Sequence, residues 1–289
     1  MQFIFLLFFF ISSLTAFNID TPSVAIDNGR TAILILDNKK ATKYQKLIDG
    51  KHGYRVFNHP TDNTKQYVLL PESYYKKPSL GTVKLIYTKN QKQFIKELQI
   101  SVRDGNYAKE TIHVQKSKVN PQSKVVKERT AKEYAEAMKI YGKVTAKNYV
   151  SSAYIVPLES KITSDFGKAR VYNDTLKGYH SGTDFRAKIG TPIIASNDGK
   201  VVLAENRFYS GNSVIIDHGQ GIYTCYYHLS EFKVKTGDMV KKAQLIGLSG
   251  ATGRITGPHL HFSARVGGVQ VDPMQLVELL NTNFYGVNQ

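Results

Sequence analysis

Short apolar runs broken at close intervals by glycine, aspartate and asparagine fill the second half of this chain, and they leave room for little but β-structure. Turn material stands at Asn197-Asp198-Gly199, Gly211-Asn212, Asp217-His218-Gly219 and Thr236-Gly237-Asp238. Between the turns, β-branched and aromatic residues predict strands at Gly190 to Ala195, Gly199 to Ala204, Ser213 to Asp217, Ile222 to Tyr227, Leu245 to Gly247 and His259 to Val266. A short helical end is expected from Pro273 to Leu280. The second half therefore reads as an antiparallel β domain.

The first half carries the same kind of signal at wider spacing. Strands are expected at Thr31 to Leu36, Tyr54 to Asn58, Gln66 to Leu70, Gly81 to Thr88, Phe94 to Val102 and Thr111 to Val114, which suits a small antiparallel β-sandwich. His52, His59 and His113 lie here without ligand-type neighbours and read as ordinary surface or strand residues. A polar stretch from Lys116 to Lys127 then breaks the pattern. Thr130-Ala131-Lys132-Glu133 reads as a capping box opening a helix whose apolar stripe is Tyr134, Ala137, Met138 and Tyr141, with Gly142 as its stop. A chain of 289 residues exceeds the usual single domain. The expected organisation is a leader over 1–16, a sandwich over 17–118, a linker with a helix over 119–150 and a β domain over 151–289. The fold class is mainly β.

Composition limits where such a chain works. Residues Met1 to Ala16 hold no charged side chain, and an apolar run from Phe3 to Ile11 precedes Ser12, Ser13, Thr15 and Ala16. That outline is a secretory signal cut after Ala16, the run being too short to span a bilayer. A retained N-terminal anchor is the alternative. With Cys225 as the one cysteine no intramolecular disulfide can form, so stability must come from burial, and Cys225 itself reads as a small buried residue. The net charge of +16 implies a polyanionic neighbour. No nucleic-acid fold signature accompanies it, so an anionic cell wall or membrane surface is the expected partner.

Chemistry concentrates in five residues: His180, Asp184, His228, His259 and His261. A hydrolytic zinc site needs three nitrogen or oxygen ligands and one open position. His180-Ser181-Gly182-Thr183-Asp184 and His259-Leu260-His261 supply candidates, and residues two apart in a strand face the same way, so His259 and His261 enter one cavity together. Spacing leaves open whether both bind metal. Gly182, and Gly257-Pro258 before the second string, mark tight backbone geometry there. His218 falls at an expected hairpin turn and reads as a turn residue.

The strings Ser164-Asp165-Phe166-Gly167, His180 to Asp184, Tyr227-His228-Leu229, Gly237-Asp238-Met239-Val240 and Gly250 to Phe262 resemble the lysostaphin-type zinc peptidases, family M23. The likeness runs in order from about Val156 to Pro273. It implies a lysostaphin-type β domain and makes His180, Asp184 and His261 the zinc ligands, with His228 and His259 as the non-ligand catalytic pair. By the same resemblance the reaction is attack of zinc-activated water on peptide cross-links of peptidoglycan, at bonds between D-alanine and a diamino acid, in the periplasm or cell envelope. Which of His228 and His259 is the general base stays open, with His228 the first choice. Two rival readings are a non-enzymatic activator of a wall amidase on the same fold and a carboxypeptidase acting on stem peptides. The first half, which carries no chemistry of its own, is expected to position the enzyme, bind a partner or lie over the groove as a cover.

Overall fold

The computed structural model describes residues 16–21, 23–112, 123–172 and 176–287. The expected leader up to Thr15, and His113, lie outside the described residues. The first half forms β1 (Ala16–Asn18), β2 (Ser23–Asp27), β3 (Thr31–Asp37), β4 (Thr42–Asp49), β5 (His52–Arg55), β6 (Phe57–Asn58), β7 (Lys65–Pro71), β8 (Ser79–Lys89) and β9 (Lys92–Arg103). They make two sheets, ordered β1-β3-β7-β6 and β2-β9-β8-β4-β5. Pairing is antiparallel except for β1 with β3 and β2 with β9, which run parallel. Leu98, Ile100 and Val102 alternate inward on β9, the period of a strand with one solvated face. β3 and β7 instead are buried on both faces. Leu34, Leu36, Val68 and Leu70 fill the core between the sheets. Ile33, Tyr67 and Leu69 point the other way into a second core shared with the end of the chain.

β10 (Lys109–Ile112) follows, then α1 (Lys124–Tyr141), then β11 (Ile162–Ser164), β12 (Ala169–Tyr172), β13 (Leu176–Tyr179), β14 (Thr183–Arg186), β15 (Pro192–Ile194), β16 (Gly199–Arg207), β17 (Gly211–Gly219), β18 (Ile222–Phe232), β19 (Met239–Val240), β20 (Leu245–Ser249), β21 (His259–Val266), β22 (Val269–Val271) and α2 (Pro273–Tyr285). One sheet runs β11-β14-β21-β18-β17-β16-β19, with β15, β20 and β22 attached, and a smaller one runs β10-β12-β13. Phe185, Ile193, Val214, Tyr226, Leu260 and Phe262 are among the residues of its core.

α1 begins six residues before the expected start, at Lys124 after Ser123. Thr130 is inside the helix, where its hydroxyl donates to the Lys127 carbonyl at 3.0 Å. The Glu133 carboxylate accepts from the Phe208 amide at 2.9 Å and from Arg129 at 2.7 Å. No capping box forms, because Thr130 lies inside the helix and the Glu133 carboxylate is engaged by Arg129 and the Phe208 amide. α2 is built as its sequence demands. The Asp272 carboxylate accepts from the amides of Met274 and Gln275, Pro273 opens the first turn, and Gly286 closes the helix at φ 65°.

The two halves meet along α2. Leu276, Leu280 and Phe284 pack against Ile33, Tyr67 and Leu69. The Gln275 amide makes a two-point clasp on Thr31, accepting from its N–H at 3.0 Å and donating to its carbonyl at 2.9 Å.

Glu72, just past β7, has a side chain 3% exposed, with Lys76 Nζ at 3.9 Å from Oε2. Among the described residues its Oε1 has no hydrogen-bond partner. Burial pushes its carboxyl up to about 7, against the pull of Lys76. A raised folded value means that the native state holds the proton where the unfolded chain has released it. Stability from this group is therefore greatest below the ordinary carboxylate value and is lost as pH rises toward 7. Glu72→Gln is expected to flatten that slope and to stabilise the protein at pH 8 by about 1–3 kcal/mol, read by urea unfolding at pH 5 and 8. An unchanged slope would show that Glu72 ionises at no cost.

Candidate metal centre and cleft

Three adjacent strands build the site. β14 pairs with β21 so that Asp184 stands opposite His261, and β21 pairs with β18 up to Tyr227 opposite His261. Asp184 also faces Ser164 of β11. His180 precedes β14, its amide donating to the Lys168 carbonyl at 2.8 Å. Gly182 lies in the turn between them, and a Cβ there would sit 2.3 Å from the Phe262 carbonyl oxygen and 2.6 Å from His261 Nε2. Only glycine lets the two strings close on each other.

The donor atoms converge. His180 Nε2 is 2.9 Å from Asp184 Oδ1 and 3.0 Å from His261 Nδ1, and His261 Nδ1 is 2.8 Å from the same Oδ1. His180 Nδ1 is 2.7 Å from the Asp165 carbonyl oxygen, which can only accept, so Nδ1 carries the proton and Nε2 presents a lone pair. That lone pair faces a carboxylate oxygen and a second imidazole nitrogen in a buried setting, where His180 is wholly enclosed. One carboxylate oxygen and two imidazole nitrogens brought this close suit a divalent cation such as zinc. The residues present therefore fit the metal. Burial works against ionisation of Asp184, but its contacts with His180 and His261 outweigh this and hold the carboxyl well below its usual range. Burial pushes the His261 imidazolium down to about 4, leaving the ring neutral and available as a ligand.

His228 and His259 stand beside this set, their rings 4.9 Å apart. His228 Nδ1 donates to the Thr252 carbonyl at 2.8 Å and His259 Nδ1 to that of Gly257 at 2.8 Å, so each neutral ring keeps a basic Nε2. His259 Nε2 lies 3.6 Å from Asp184 Oδ1. His228 occupies the left-handed region at φ 63°. It sits where β18 leaves β21 after Tyr227 and takes up β20 from Leu229, and the strained backbone there re-aims its ring. Burial, then the nearby His261 and His259, push its imidazolium down to about 3.

A cleft of about 160 Å³ opens over the site, lined by Arg170, Tyr179, Ser181, Tyr209, Ser210, Tyr227, His228, Arg254 and His261. The Tyr227 ring stacks on His261 at 5.5 Å and 12°, and Arg254 lies over the Tyr209 ring at 4.7 Å. All these lining residues come from the second half. The first half borders the cleft instead, with Tyr74 stacked on Tyr179 at 3.9 Å and 5°. α1 walls a neighbouring groove that shares Tyr209, Ser210 and Tyr227.

The structure thus gathers all five expected site residues. His218 is elsewhere. It lies in β17 and not in a turn, fully buried, its ring held by the Asp198 carbonyl at 2.8 Å and Thr224 Oγ1 at 2.7 Å. Cys225 is buried with its sulfur 3.3 Å from the Tyr141 hydroxyl. Arg170, Tyr179 and Tyr209 were not foreseen. Arg170 stands three residues past the Ser164 to Gly167 string, and no local pattern marks it.

Residues 178–273 match the model of Peptidase family M23 and include the whole histidine and aspartate cluster. This part of the chain is an M23 peptidase domain. Peptidoglycan DD-endopeptidase ShyA of Vibrio cholerae is 48% identical over 122 residues, which is 41% of this chain and 28% of that protein. DD-carboxypeptidase/endopeptidase Mpg of Neisseria meningitidis is 43% identical over 97 residues, 34% of this chain and 22% of that protein. The chain therefore spans only about a quarter of the length of these relatives. A peptidase M23 structure from Pseudomonas aeruginosa shares the fold over 90% of this chain and 96% of its own, with a TM-score of 0.64 and 22% identity.

Proposed function

We propose that this protein is an exported zinc metallopeptidase that hydrolyses peptide cross-links of peptidoglycan, at bonds between D-alanine and a diamino acid. The observation that carries the reading is the set of His180 Nε2, Asp184 Oδ1 and His261 Nδ1, 2.8 to 3.0 Å apart, beside two further imidazoles. A divalent cation held by these three would supply Lewis acidity, making a water more acidic and polarising a carbonyl. His228 is the general base: its Nδ1–H is fixed on Thr252, its Nε2 is unprotonated at neutral pH, and it can take a proton from the attacking water. His259, its Nδ1–H on Gly257, would stabilise the developing oxyanion as an imidazolium donating from Nε2, and the proton taken up by His228 returns to the leaving amine. Tyr227 packs flat on His261 and keeps that ring in plane.

The relatives' printed activities, peptidoglycan DD-endopeptidase and DD-carboxypeptidase/endopeptidase, support the substrate class. The charge of +16 suits an anionic wall, and the uncharged, apolar Met1 to Ala16 suits export to the periplasm or cell envelope. The test is mass spectrometry of purified muropeptides after incubation with the zinc-loaded protein. Conversion of cross-linked dimers to monomers is expected. Shortening of monomer stems alone would favour the carboxypeptidase reading. No turnover, combined with stimulation of a wall amidase, would favour the activator.

A further inference from the structure

We propose that the first half of the chain completes the metal site: Glu110 holds Arg170, and Arg170 is a positioning residue for Asp184. The inference rests on the functional reading above. β10 pairs in parallel with β12, and the register sets Glu110 opposite Arg170. Glu110 Oε1 accepts from Arg170 Nε at 2.5 Å. Arg170 Nη2 then lies 3.4 Å from Ser164 Oγ and 3.6 Å from Asp184 Oδ2. Ser164 Oγ is in turn 3.2 Å from His180 Nδ1.

The two oxygens of Asp184 are therefore divided. Oδ1 meets the imidazole nitrogens, and Oδ2 meets the guanidinium, at ion-pair distance. A carboxylate with one oxygen unengaged can rotate and present either atom. A guanidinium anchored at its Nε takes that freedom away, because its planar fork spans two acceptors at a fixed separation. The side chains are only 14% and 11% exposed, so solvent screens the pair weakly.

The charges explain why a glutamate is needed. An arginine alone beside a divalent-cation site opposes metal binding. With Glu110 on its Nε the arginine is neutralised, and its geometry is kept without its full repulsion. Of the strands beside β12, β10 supplies that carboxylate; it follows β9 at the end of the first half of the chain but pairs with the second. On this view that half acts as a scaffold for the ligand set.

The experiment uses the full chain with Arg170→Ala, Arg170→Lys and Glu110→Gln. Zinc affinity is measured by competition with a chromophoric chelator, together with kcat and KM on muropeptides and the Tm of the metal-free protein. Arg170→Ala is expected to weaken zinc binding by about 10- to 100-fold and to lower kcat with little change in KM. Arg170→Lys, which keeps the charge and loses the fork, is expected to recover only part of this. Glu110→Gln is expected to weaken zinc by about 10-fold with the metal-free Tm within about 2 °C of wild type. Wild-type zinc affinity in Arg170→Ala overturns the proposal. A deficit in Arg170→Ala with none in Glu110→Gln overturns the contribution of the first half, and Glu110→Gln also decides the matter if Arg170→Ala fails to fold. A wild-type chain that holds no divalent ion overturns the functional reading and this inference with it. Wild-type binding with unchanged variants overturns this inference alone.

Discussion

His228→Ala is expected to keep its metal and lose hydrolysis by a factor of about 10² to 10⁴, the range of a positioned general base. The ring contributes none of the three convergent donor atoms, so the chelator-competition affinity for zinc should stay within about threefold of wild type. Among the described residues its one ring hydrogen bond is from Nδ1 to the Thr252 carbonyl, and the loop around Thr252 has other anchors. The Thr252 hydroxyl donates to the Leu229 carbonyl at 2.8 Å, and the Asn212 amide donates to it at 2.9 Å. Losing the imidazole also removes the side chain held at φ 63°, where alanine is no better tolerated than histidine, so stability should change little. The measurement is turnover and metal content on the same preparation. Loss of metal together with activity would mean that His228 is a ligand and that the division of roles is wrong. Full activity in metal-loaded His228→Ala would transfer the base role to His259.

What could be read in the sequence, and what could not, follows from the range of the forces involved. His259 and His261 share a face because strand geometry fixes period two, a rule that needs no tertiary information. The start at Pro273 was equally local, but the helix runs to Tyr285, past its expected end at Leu280, because its burial against β3 and β7 is tertiary. Strand β4 escaped notice since Lys43, Gln45 and Lys46 dilute its apolar content, and only Tyr44 and Leu47 turn fully inward. Glu133 looked like a capping residue because the Phe208 amide that claims it lies 75 residues away. The same distance problem hid Arg170. Its partner Glu110 is 60 residues earlier, and no spacing rule connects a strand of the first half to the β12 edge. His228 is the intermediate case. Its string was conspicuous, but the left-handed backbone that aims it arises from β18 changing partners.

Asp184→Asn is expected to abolish zinc-dependent stabilisation and hydrolysis while leaving the metal-free fold intact. The substitution keeps the size of the side chain and removes the one negative charge among the three donor residues. An amide also cannot satisfy both of its neighbourhoods. If its oxygen faces the imidazoles, its NH₂ confronts the Arg170 guanidinium, donor against donor, at the place where Oδ2 now lies 3.6 Å from Nη2. If it turns over, the NH₂ donates to His180 Nε2 or His261 Nδ1 and occupies the lone pairs that would otherwise hold a cation. The second arrangement is the better one in the absence of metal, because it replaces the contact between a carboxylate oxygen and the His180 lone pair by a hydrogen bond. The metal-free variant should therefore remain folded, and its melt is the baseline for its zinc response. Zinc at a thousand times its dissociation constant should add about 4 kcal/mol to the wild-type protein and essentially nothing to the variant. Thermal melts with and without zinc, run beside muropeptide turnover, give the answer. A variant that gains as much from zinc as wild type would remove Asp184 from the ligand set, and the assignment of the site would go with it.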